Sequence, residues 1–117
     1  MWPVEQIPNE DFLFMRIHAC YLEFGEPLGA FKDIGVGMST DWEKYSTAQE
    51  TRDRARNPKK NGIIKLNAGK VRELDGLSVG HTPEPENQAH SEVFGEKTPQ
   101  IRVKLNRLAE WVIHAEV

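Results

Sequence analysis

A chain of 117 residues with 38% hydrophobic and 28% charged residues has the size and balance of one soluble domain, enough for a single core and too little for a second. Its net charge of -3 argues against a protein dominated by phosphate-backbone binding, which needs a basic excess, and its composition argues against general disorder. The single cysteine, Cys20, excludes an intrachain disulfide and fits a reducing compartment, so the expected location is the cytoplasm.

The opening MWPVEQIPNED carries acids and two prolines where a signal peptide needs basic residues and then an apolar run. No stretch of the chain is apolar for long enough to span a bilayer, so neither export nor membrane insertion is expected. Residues 1–11 read as an irregular lead-in to one domain over 12–117. FLFMRIH, residues 12–18, is the most apolar run, and its length and aromatics predict a strand. Leu13, Met15, Ile17 and Ala19 would share one face, and Phe12, Phe14, Arg16 and His18 the other, which begins greasy and ends polar like the floor of a pocket. The Gly-rich FGEPLGAFKDIGVGM, residues 24–38, reads as a long connection able to act as a mobile flap.

Two overlapping helix starts follow, Thr40 with Glu43 and Thr47 with Glu50, each at the capping-box spacing. The second predicts a helix from about 48 to 57, ended by Asn57-Pro58. RDRARNPKK, residues 52–60, sets Arg52, Arg54, Arg56, Lys59 and Lys60 against Asp53 alone. A solvated helix end with cations at the negative pole of the macrodipole accounts for it, and a nucleic-acid contact is the alternative. GIIKLNA, residues 62–68, reads as a strand with Ile64, Leu66 and Ala68 on one face, whereas GKVRELDG is too short to assign. In LSVGHTP, residues 77–83, alternation aims His81 inward; EPEN is a turn, and AHSEVFG a short strand with His90, Glu92 and Phe94 on one side. Thr98 as N-cap and Pro99 at the first helical position open an amphipathic helix through about residue 113, with Ile101, Leu105, Leu108 and Val112 as its buried stripe. Short strands not regularly interleaved with helices predict an α+β fold, a single compact domain with a small, mainly antiparallel sheet packed by two helices.

Periodicity does not explain Arg16, His18, His81 and His90, which are joined at loops or element ends by Ser39, Asp41 and Asn87. Each also has a structural account: His18 and His81 as buried imidazoles satisfied by carbonyls, Ser39 and Asp41 as neighbours of a capping Thr, Asn87 as a turn residue. His90 follows a turn and caps nothing. Acid/base chemistry at a phosphate ester would use His18 and His90 as proton carriers and Arg16 against developing negative charge. No histidine or cysteine spacing of a metal site is present, Cys20 has no local nucleophile signature, and GVGMST has neither Walker nor dinucleotide spacing; no metal and no cofactor are expected.

Taken in order, FMRIH, GMSTDW, GHTPEPENQAH and SEVFGEKTPQIRVKL resemble a family of small bacterial proteins with an Arg-x-His strand, a Ser-x-Asp segment and an Asn-x-Ala-His block before a Lys-rich helix. The resemblance spans roughly residues 12–112 and implies Arg16, His18, Phe31, Ser39, Asp41, Pro83, Asn87 and His90 as candidate positions, with no established activity. An early-strand Arg with a Ser in the second segment also resembles ADP-ribosyltransferases that grip NAD, although no catalytic Glu motif of that group is recognisable here. The expected function is binding of an anionic small molecule or nucleotide bearing phosphate, with cleavage or transfer at it. The competing expectation is a non-catalytic module that docks a partner protein, as a component of a gene pair.

Overall fold

Residues from Phe12 to His18 alternate between core and cleft positions and form β1 (Phe12–His18), which lies inside the sheet between two partners. Leu13, Met15 and Ile17 are buried on one face, while Phe14, Arg16 and His18 point to the other, as the sequence alternation predicts. The computed structural model describes residues 1–23 and 27–116. β1 pairs along its whole length with β3 (Asn61–Asn67), but with β2 (Met38–Trp42) only through Leu13↔Trp42 and Phe14↔Asp41. Beyond Phe14 these central strands part, and the gap opens a cleft. β2 pairs in turn with β5 (His90–Phe94), β5 with β4 (Ser78–His81), and β3 with β6 (Glu110–Ile113), giving an antiparallel sheet in the order β4-β5-β2-β1-β3-β6.

The chain is a single compact α+β domain in which short helices pack on this sheet. α3 (Ala68–Arg72) and α4 (Pro99–Leu108) contribute Val71, Ile101 and Leu105 to a core that holds Leu13, Met15, Met38, Trp42, Ile64, Leu66 and Val93. α1 (Ala19–Glu23) follows β1 without a break, and α2 (Ala48–Asp53) packs against β1 and β3, its Thr51 carbonyl accepting from Arg16. Residues 1–11 carry no helix or strand, yet Ile7 is buried in the core and the Glu5 N–H donates to His81 Nδ1 at 2.9 Å.

Four expectations of local structure change. Thr40 opens no helix; it lies in β2, where its hydroxyl bonds Ser91 Oγ at 2.8 Å, and the working capping box is Thr47 with Glu50. α2 stops at Asp53 rather than 57, because Arg52 Nε donates to Pro58 O at 2.9 Å and to Asn61 O at 3.0 Å, folding the following residues back under the helix end. The stretch after β3 that sequence leaves unassigned forms α3, capped by Asn67. The last helix ends at Leu108 instead of about 113, so Val112 is exposed on a strand while Ile101 and Leu105 keep their buried stripe. Here tertiary context overrides helical period: the outer edge of β3 needs a partner, and β-prone Trp111, Val112 and Ile113 supply it. Gly62 makes room, since a Cβ there would lie 2.6 Å from the Trp111 ring. Of the expected flap, residues 24–26 lie outside the described residues; the rest holds a 3-10 turn, Pro27–Ala30, and a small hairpin closed by the Ile34↔Gly37 bridge. Among the described residues no helix is long and apolar enough to cross a membrane.

Candidate functional site

Where β1 and β2 part, a cleft of about 600 Å³ is lined by Arg16, His18, Ser39, Asp41, Asn87 and His90. That volume lies within the roughly 300–1,000 Å³ of small-molecule sites. Met15 and Met38 reach it from the core side and Phe14 from the other, so the opening runs into the split in the sheet. The register explains why residues distant in sequence meet: Phe14 is opposite Asp41, and Asp41 is opposite His90, which sets one cross-strand row over β1, β2 and β5. His81 is placed elsewhere. It is buried against Trp42 and Tyr45, accepts the Glu5 N–H at Nδ1 and donates from Nε2 to Gln88 O at 2.7 Å, so both ring nitrogens serve the fold.

Two imidazoles at the cleft are fixed in opposite tautomers. The Cys20 N–H donates to His18 Nδ1 at 3.0 Å, so the neutral His18 ring carries its proton on Nε2. His90 Nδ1 lies 2.9 Å from Thr82 O, and a carbonyl only accepts, so Nδ1 carries a proton and in the neutral ring Nε2 has the lone pair. That Nε2 stands 3.8 Å from Glu84 Oε1, another residue of the cleft wall. Both rings line the cleft, and in their neutral forms one has an N–H at Nε2 and the other a lone pair.

Charge in the cleft is uneven. Arg16 donates from Nη1 to Thr51 O at 3.2 Å, a neutral partner, and among the described residues it has no carboxylate within ion-pair reach. Arg54 is different: its Nη1 donates to Asp41 Oδ2 at 2.8 Å and to Ser46 Oγ at 2.9 Å. Asp41, 5% exposed, uses its other oxygen to accept from Asn87 Nδ2 at 2.8 Å, and Asn87 Oδ1 accepts the Ala89 N–H at 3.1 Å. Asp41 thus ties α2 to the turn that carries Glu84, Asn87 and His90, and its own charge is balanced by Arg54. Glu84 and Glu86 sit on that exposed turn, while Lys32 stands on the segment across the cleft.

Arg52 and Arg54 are thereby engaged inside the protein, which leaves Arg56, Lys59 and Lys60 as the remainder of the basic run. Sequence reasoning passed over Arg54, Thr51, Tyr21 and Lys32, which also line the cleft. Arg54 carried one signal, a cation at the end of a short capped helix with a single acid beside it; the others became site residues only through folding. Among the described residues no group of three or more His, Cys, Asp or Glu side chains gathers as a metal site would require.

The chain matches no protein-family model, no curated protein and no solved structure.

Proposed function

We propose that the cleft binds an anionic, phosphate-bearing ligand and cleaves or transfers at it. The observation that carries this reading is that Arg16, without a carboxylate partner among the described residues, lines one cleft with two imidazoles whose neutral rings hold opposite tautomers. Arg16 neutralises a phosphoryl oxygen, with a geometry suited to two parallel hydrogen bonds. His90 Nε2 takes the proton from an attacking hydroxyl or water and returns it to the leaving oxygen. His18, as a neutral ring, donates its Nε2–H to a charge-bearing oxygen without surrendering the proton. Ser39 adds a hydroxyl on the β2 wall, and Asp41 and Asn87 hold the turn that orients His90. Arg16 and Ser39, the pair that resembles ADP-ribosyltransferases, both line the cleft and make NAD one of the first ligands to try. The single cysteine and the resemblance to small bacterial proteins support a place in a bacterial cytoplasm.

The test is turnover of a panel of nucleoside diphosphates, phosphodiesters and NAD by the wild type and by His90→Gln and His18→Gln. For a substrate that the wild type converts, His90→Gln should lower kcat by about a hundredfold or more, the usual worth of a positioned base. Folded variants that both keep full turnover overturn the catalytic reading. One feature favours the alternative of an interaction module: Trp111 and Val112 are exposed on β6 at the outer edge of the sheet, where an extended strand of a partner protein can add. Loss of pull-down by a partner on Trp111→Ser, with the cleft intact, would support it.

A further inference from the structure

The residue after the site's last β1 side chain begins α1, and two residues on stands Tyr21. Its ring has two environments. One part packs on the hydrophobic core, and another lines the cleft beside Arg16 and His18. Gly29 lets the opposite segment approach the ring, since a Cβ there would lie only 3.2 Å from the ring carbons. Lys32 Nζ stands over the ring, 5.7 Å from its centroid, and the neighbouring Tyr21 holds the ammonium's pKa above its ordinary value. An aromatic surface backed by the core, with a cation over its ring and in the same cleft as a guanidinium that has no carboxylate partner among the described residues, is poorly explained by a site for bare phosphate. An inorganic anion has no use for a π-face.

We infer that the ligand is a nucleotide whose base stacks on Tyr21 while its phosphate lies at Arg16. The inference rests on the phosphate-binding reading and adds the part of the ligand that discriminates it from other anions. Stacking tolerates any base, so the platform selects nucleotides as a class over sugar phosphates and inorganic phosphates. It also fixes direction: with the base at the α1 end of β1, the phosphate points along the strand toward Arg16 and the reacting bond toward His90.

The experiment compares ADP with inorganic pyrophosphate by calorimetric titration of the wild type, Tyr21→Leu, Tyr21→Phe and Arg16→Ala. Leu keeps an apolar contact with the core and removes the π-face, and Phe keeps both. The wild type should bind ADP about tenfold or more tighter than pyrophosphate, and Tyr21→Leu should erase that gain while Tyr21→Phe keeps it. Pyrophosphate affinity should be unchanged by either Tyr21 variant and weakened roughly ten- to a hundredfold in Arg16→Ala. Equal wild-type affinity for the two probes, or a Tyr21→Leu variant that still prefers ADP, overturns the base platform and leaves the phosphate reading standing. Failure of both probes to bind the wild type overturns both.

Discussion

Among the described residues Arg16 has no carboxylate partner, since its Nη1 donates to the neutral Thr51 carbonyl. A charge-assisted hydrogen bond to a phosphate is worth about 1.5–3 kcal/mol, so Arg16→Ala should weaken pyrophosphate binding by roughly ten- to a hundredfold. Arg16→Lys should recover only part of it, since an ammonium does not reproduce the two-pronged guanidinium. Calorimetric titration measures both, and equal affinities across the series would remove Arg16 from the site. Asp41 acts differently, through other side chains. Its replacement by Ala leaves Arg54 and Asn87 without their shared acceptor, for an expected loss of about 1–3 kcal/mol in urea unfolding, with lowered activity because the His90 turn is no longer tied to α2. At this scale the sequence was informative where polarity broke a pattern. Arg16 and His18 interrupt an apolar strand, and His90 has no capping role. It was silent on His81, whose inward position in an apolar alternation fits a site and a buried structural imidazole equally well. Two hydrogen bonds from elsewhere in the chain decide between them.

Elements were legible where local chemistry dictates them and illegible where a distant partner does. Thr98 and Pro99 start α4 as the residues require, and Thr98→Ala should cost about 1 kcal/mol through the lost bond to the Ile101 N–H. Its end is set by the free edge of β3, which no local pattern reveals. β2 was hidden for a related reason: MSTDW has two polar side chains facing the cleft side and little apolar length, and only pairing with β1 and β5 makes it a strand. The hairpin of residues 31–37, on the cleft's rim, depends on Lys97. This ammonium is almost wholly buried and donates to Val93 O, Gly95 O and, at 2.6 Å, to Asp33 Oδ1. Lys97→Met removes the latch, and the Ile34 amide, bonded to Gly37 O at 2.9 Å, should then lose hydrogen-exchange protection ahead of the β1 amides. Unchanged protection would mean the hairpin stands without Lys97.

For the whole molecule, an open cleft has to coexist with a continuous core, and the sheet solves this by parting two central strands at one end while pairing them at the other. The lead-in residues 1–11 brace the paired end. Glu5 accepts from Lys44 and from the Tyr45 hydroxyl, and these bonds hold its carboxyl below the ordinary carboxylate range. A depressed folded value means the stabilisation is present above the carboxylate's unfolded value and is lost as pH falls through the lower, folded one. Acidification through that window should loosen the N-terminal segment, seen as faster exchange of the Glu5 amide that bonds His81, and Glu5→Gln should abolish that pH dependence. The cleft itself is tested most directly by following the imidazole resonances of His18 and His90 during a pyrophosphate titration. Both should shift along one saturable curve with a common Kd, and in Arg16→Ala both curves should move to roughly ten- to a hundredfold higher pyrophosphate concentration. Resonances that stay still, or that move with unrelated affinities, would contradict a single phosphate-binding site between them.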